Sequence, residues 1–285
     1  MYYLLISIAV VMFGGMFWTN DLYRQKCGSG LAVSLRFTFI SSLAGLVALS
    51  AINGFKPEFT TFTFIMAVLK ALNGFGFTFC SFKALGSINL SLYSLFSMLG
   101  GMVLPFVSGI LFFREGLTLA KAVCLMLITV ALVLTVKRGE KRGGLIYYVG
   151  IFVLNGMSGV LTQIFTEAPF EKTSAAGYSM LCALVTVVIS FIACLFMKRP
   201  PKEETRISTI SIAAASGVIS KIANYFLVVA LMHLHASIQY PMVTGGTMIV
   251  STVIAALGKK KPSRREILAV VIAFIAIILL VIIPI

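Results

Sequence analysis

Residues 174–197 read SAAGYSMLCALVTVVISFIACLFM, 24 residues without a charged side chain, bracketed by Lys172 and by Lys198-Arg199. Wound as a helix at about 1.5 Å per residue, such a run crosses the ~30 Å hydrocarbon core of a bilayer. In lipid the backbone polar groups must be satisfied internally, which leaves helices or closed barrels. The run is far too long for a barrel strand. Outward from it, comparable stretches fill the chain at 2–19, 31–52, 60–82, 87–113, 117–136, 144–165, 208–231, 236–257 and 266–283. Only 11% of the 285 residues are charged while 59% are hydrophobic, so no soluble surface can be assembled. The pattern predicts an all-α membrane protein of ten transmembrane helices. The links 83–86, 114–116 and 232–235 are brief and predict antiparallel hairpins, and no link is long enough to fold as a soluble domain.

The formal net charge of +14 raises the possibility of a nucleic-acid partner, but its distribution points elsewhere. Seventeen cations, among them Arg24, Lys26, Arg36, Lys83, Lys198, Arg199, Lys202, Arg206, Lys259, Lys260 and Lys261, gather at alternate links, against 4 (Lys56, Arg114, Lys121, Lys172) on the other side. Cytoplasmic loops carry the excess of Lys and Arg. The expectation is therefore a multi-pass protein of the cytoplasmic membrane with both termini outside, a lipid partner and no nucleic acid. The first residues, MYYLLISIAVVMF, lack a basic region and a cleavage site, so the first span is expected to remain as an anchor. Five cysteines without CxxC spacing read as small buried hydrophobes, and neither a metal nor another cofactor is expected.

A repeat is visible. Lys70-Ala-Leu-Asn73-Gly-Phe75 in the third span and Lys221-Ile-Ala-Asn224-Tyr-Phe226 in the eighth share K-x-x-N-x-F at a spacing of 151. Ser91, Gly100 and Met102 in the fourth span match Ser237, Gly246 and Met248 in the ninth, 146 residues on. The halves divide at KRGEKRGG, residues 137–144, giving five-helix units over 1–138 and 143–285. Five is odd, so the second unit enters the membrane from the opposite side and the repeats are inverted. Transporters are often built this way, with the site near the midplane between the repeats.

Residues 84–134, ALGSINLSLYSLFSMLGGMVLPFVSGILFFREGLTLAKAVCLMLITVALVL, resemble the EamA-like branch of the drug/metabolite transporter superfamily. Pro105, Glu115 and Leu117 stand where that family carries a central helix proline, a linking glutamate and the leucine after it. The second half departs from the pattern, with Lys261 in place of the glutamate and Ser251 in place of the proline. The resemblance implies a ten-helix secondary transporter of small metabolites. The small four-helix multidrug pumps of the same superfamily use a glutamate in their first helix, and the first span here has none.

Inside the predicted spans the polar inventory is short. The nine carboxylates all fall in links or at span ends, whereas Lys70 and Lys221 lie near mid-span. A lysine near the bilayer centre costs about 2.5–3.5 kcal/mol on translocon scales, so both must face the bundle interior or a watery cavity. They either coordinate an anion at a pseudo-symmetric site or bond helix carbonyls and a nearby Asn. Asn73 and Asn224, one turn from their lysines, either orient the ammonium and bind substrate or hold helices together. Asn155 and Gln163, eight residues apart, Tyr93, and Gln239 with its neighbour Tyr240 complete the candidate substrate-binding set. His233 and His235 fall in an outer link and read as solvated. Gly100, Gly101, Gly245 and Gly246 read as helix contacts.

These residues predict a permease for a small organic substrate, anionic or zwitterionic, because the mid-span charges are positive. Either a bound anion neutralises the two ammonium groups, or one of them releases a proton. No P-loop, HExxH or GxSxG is present, and no mid-span His or carboxylate offers a base, so an embedded enzyme is not expected. A structural or receptor-like membrane protein is the alternative, favoured if side chains fill the interior.

Overall fold

The computed structural model describes residues 2–88, 90–112, 142–197, 201–234, 236–257 and 261–282, together with residues 123, 126, 127 and 130. The described residues form nine long helices, α1 Tyr2–Cys27, α2 Leu31–Ile52, α3 Thr61–Ser87, α4 Leu90–Phe112, α5 Arg142–Glu167, α6 Ala175–Leu195, α7 Ile207–Leu231, α8 Ala236–Leu257 and α9 Arg264–Ile282. One single-turn helix, Lys202–Thr205, precedes α7, and no strand occurs among them. By length and composition, seven helices, α1 to α7, can cross a membrane, and α8 and α9 carry shorter apolar segments. The protein is thus an all-α membrane protein. Apart from residues 123, 126, 127 and 130, the expected fifth span lies outside the described residues, as do Glu115, Leu117, His235 and most of the 137–144 link.

Helix ends depart from the expected boundaries in both directions, and α6, Ala175–Leu195, falls inside its expected 174–197. α1 runs to Cys27 and takes in Asp21, and α3 runs to Ser87. Hydrogen bonding continues beyond the apolar core because charged side chains at the rim find partners along the helix. Asp21 does so by pairing with Arg24 at 2.9 Å. The link 83–86 is therefore helix.

Helices joined by the short links 83–86 and 232–235 are not the chief packing partners. α1 packs on α7 and α8, α2 on α6 and α7, α3 on α5 and α6, and α4 on α5 and α8. The contacts of α3 with α4 and of α7 with α8 across the short links are slight, so those links do not make packed hairpins. Among the described helices, each chain half packs chiefly against the other. Small residues set the approach. A Cβ on Gly100 of α4 would run into the Phe152 backbone of α5, and one on Gly217 of α7 into the Ser41 backbone of α2. α4 is the most enclosed of the seven, with 72% of its span buried against 44% or less for the others. It carries the largest apolar cluster, around Leu95, Leu99 and Met102, with Phe17 edge-on to Tyr93.

Candidate functional site

Where the two halves meet, the interior is hollow. A cavity of about 280 Å³ lies among α1 to α8, lined by apolar side chains such as Phe13, Phe17, Phe77, Leu227 and Val243 and by polar groups from every one of the eight except α4. Lys70 and Lys221 both line it. Of the described lining residues these two are the charged ones, and none is a carboxylate. Asn73, Asn155, Asn224 and Gln239 line the same space.

The amides are already engaged. Asn73 Nδ2 donates to the Leu154 carbonyl at 2.8 Å and Asn155 Nδ2 to the Ser97 carbonyl at 2.6 Å, joining α3 to α5 and α5 to α4. Asn224 Nδ2 donates to Ser220 O of its own helix at 2.8 Å, and Gln239 Nε2 to Leu227 O at 2.9 Å. Neither Asn is hydrogen-bonded to its lysine. The amide nitrogens serve as ties within and between helices, which leaves the amide oxygens as the groups free to accept.

The lysines differ. Lys70 Nζ donates to the Ser158 carbonyl at 3.0 Å and to Thr162 Oγ1, both on α5. It also sits 5.9 Å from the centroid of the Tyr178 ring, within cation–π range. Tyr178 is held in turn by stacking on Phe165 at 3.9 Å. Lys221 makes no hydrogen bond to a described residue. Its stem lies against α2 at Gly45, where an added Cβ would collide with Lys221 Cβ and Cγ.

Two expected residues lie elsewhere. Gln163 is buried and its Oε1 accepts from Ser108 Oγ of α4 at 3.0 Å. Eight residues of helix rotate it about 80° from Asn155, whereas seven rotate only about 20°, so Thr162 takes the cavity position. Tyr93 is fully buried behind Phe17 and donates to Ser81 Oγ at 2.9 Å. Ser158 and Thr162 were missed as site residues, although their spacing from Asn155 marks one polar face of α5. Tyr178 and the Asn20–Ser216 pair, Ser216 Oγ donating to Asn20 Oδ1 at 2.6 Å, carry no spacing signal, because each owes its position to packing. His233 is exposed and stacks on Tyr2 at 4.3 Å. Ser251 is buried, and Lys261 lies exposed before α9. Cys27, Cys80, Cys182 and Cys194 are free thiols.

No family model matches the chain, and no curated protein matches it. Among 27 matching chains of solved structures, one named only "Crystal structure of protein" superposes with a TM-score of 0.62 at 18% identity, over 97% of this chain and 94% of its own. At that identity the likeness shows a shared fold. The helical arrangement therefore exists, over nearly its whole length, in a solved structure.

Proposed function

We propose that the protein is a secondary transporter that moves a small organic metabolite, anionic or zwitterionic, across the cytoplasmic membrane by alternating access. In this reading it is built as two inverted five-helix repeats of the EamA-like kind. The observation that carries it is the polar cavity between the halves with two lysines and no carboxylate on its described walls. A lysine within a membrane span is costly, and an anionic ligand offsets that cost.

The packing supports the repeat. Exchanging α1, α2, α3 and α4 with α5, α6, α7 and α8 respectively turns the contact of α4 with α5 into that of α8 with α1. It turns α1 on α7 into α5 on α3, and α2 on α7 into α6 on α3, while α2 on α6 and α4 on α8 map onto themselves. Two short connections tie the halves at the rims. Arg36 of α2 donates to both Glu204 carboxylate oxygens at 3.0 and 2.9 Å. Glu58, before α3, accepts from Ser174 N and Oγ at 2.6 Å each. Alternating access requires each rim to part in turn.

The test is uptake by purified protein in liposomes of a labelled panel spanning organic anions, amino acids, neutral polyols and organic cations. Protein-dependent uptake of an anionic or amino-acid member is the expected result. Uptake confined to cations or neutral compounds, or none across the panel, overturns the reading.

A further inference from the structure

Equivalent in sequence, Lys70 and Lys221 are not equivalent in the fold. Lys70 commits two of its three donors to α5, through the Ser158 carbonyl and Thr162 Oγ1, and faces the Tyr178 ring. Lys221 lines the same cavity and hydrogen-bonds no described residue. Its Cβ and Cγ lie against α2 at Gly45, and of the two ammonium groups its own is the uncommitted one. We infer that Lys221 alone receives the substrate's charge, that Lys70 is a positioning residue clamping α3 to α5, and that the substrate is a singly charged organic anion with an apolar body. This rests on the reading of the cavity as a substrate site.

The charge count follows from the wall. One free ammonium matches one negative charge. A second negative charge would enter a low-dielectric space whose other cation is already hydrogen-bonded, and unpaired charge there is strongly disfavoured. The ammonium of a zwitterion would find no carboxylate among the described lining residues. The apolar wall of Phe13, Phe17, Leu227 and Val243 suits a hydrocarbon or aromatic body, and about 280 Å³ limits it to a small one.

A ring-matched series separates these claims. The full chain in nanodiscs is heated with equal concentrations of benzoate, phthalate, phenylalanine, benzylamine or benzyl alcohol, and the shift in melting temperature is read. Benzoate is expected to give the largest shift. Lys221→Met should fold at least as stably as the parent, because it loses an unpaired charge within the membrane span, and should raise the half-saturating benzoate concentration by about tenfold or more. Lys70→Met should melt lower without ligand yet keep its benzoate response. If it does not fold, Lys70→Arg, which keeps donors toward Ser158 and Thr162, should respond as the parent does. The inference is overturned by a parental benzoate response in Lys221→Met, or by lost response in folded Lys70→Met or Lys70→Arg. It is equally overturned by a larger shift from phthalate or phenylalanine, or by no benzoate shift in the parent. Undiminished liposome uptake by Lys221→Met removes this inference and leaves the transporter standing. A Lys221-dependent shift in a protein that transports nothing removes the transporter instead.

Discussion

Single residues decide how near the two halves come. Gly217 stands against the Ser41 carbonyl, and a backbone atom cannot swing aside as a side-chain tip can. Gly217→Ala is expected to lower the melting temperature by several degrees, on the order of 1–3 kcal/mol of overpacking. Gly15 has open space at its Cβ position, so Gly15→Ala should be neutral or stabilise by about 0.5–1 kcal/mol, as Ala does in a helix interior. Thermal melts of the two variants side by side check this. Equal effects would mean that the close contact at Gly217 does not govern α2–α7 packing. The same scale explains Gln163. Its polarity was legible in the sequence, but which polar residue of α5 meets the cavity turns on about 100° of helix rotation per residue.

At the level of helices, α3 and α6 start together and hold each other. Thr60 caps α3 by accepting from Thr63 N, and Ser174 caps α6 by accepting from Gly177 N. Thr173 N donates to Thr63 Oγ1 at 3.2 Å, and Glu58 binds Ser174. A carboxylate at a helix N-terminus also meets the positive end of the helix dipole. Ser174→Ala removes both the cap and an acceptor's partner, and is expected to cost about 1 kcal/mol, read as a lower melting temperature. Glu58→Ala should cost a similar amount, and the double variant less than the sum. Strict additivity would show that Glu58 acts independently of the cap. The expected spans 60–82 and 174–197 take in both capping residues, and the structure sets them just outside as caps. Their joining is not legible in the sequence, because it links residues about 110 positions apart.

On the scale of the whole molecule, the Arg36–Glu204 pair binds the halves at the rim where the basic links gather. Both side chains are enclosed, with 14% and 3% of their surface exposed. Arg36→Met strands the carboxylate, and removing one member of a buried pair costs about 3–5 kcal/mol. The Arg36→Met/Glu204→Met double variant is expected to recover most of the lost melting temperature. A double variant no more stable than Arg36→Met would show that the pair is not what the rim depends on. The cation asymmetry makes a second prediction. Reporters fused to either terminus should report from outside the cytoplasm, and one inserted in the 137–144 link from inside it. A cytoplasmic terminal signal would require a recount of the spans and remove the inverted relation of the halves.

The helices and their membrane character follow from the sequence alone. Apolar runs of 18 or more residues have few ways to satisfy their backbone in lipid, and mid-span Lys70 and Lys221 have to turn inward. K-x-x-N-x-F marks those two lysines as a pair without saying how either is held. Tertiary packing alone decided the rest. Among the described helices it set each half against the other instead of closing the hairpins that the links 83–86 and 232–235 imply. It brought Ser158, Thr162 and Tyr178 to Lys70, and left Lys221 without a described partner. Periodicity records which way a side chain leaves its own helix. What that side chain meets depends on where glycines such as Gly45, Gly100 and Gly217 let another helix approach, and that is a property of two elements at once.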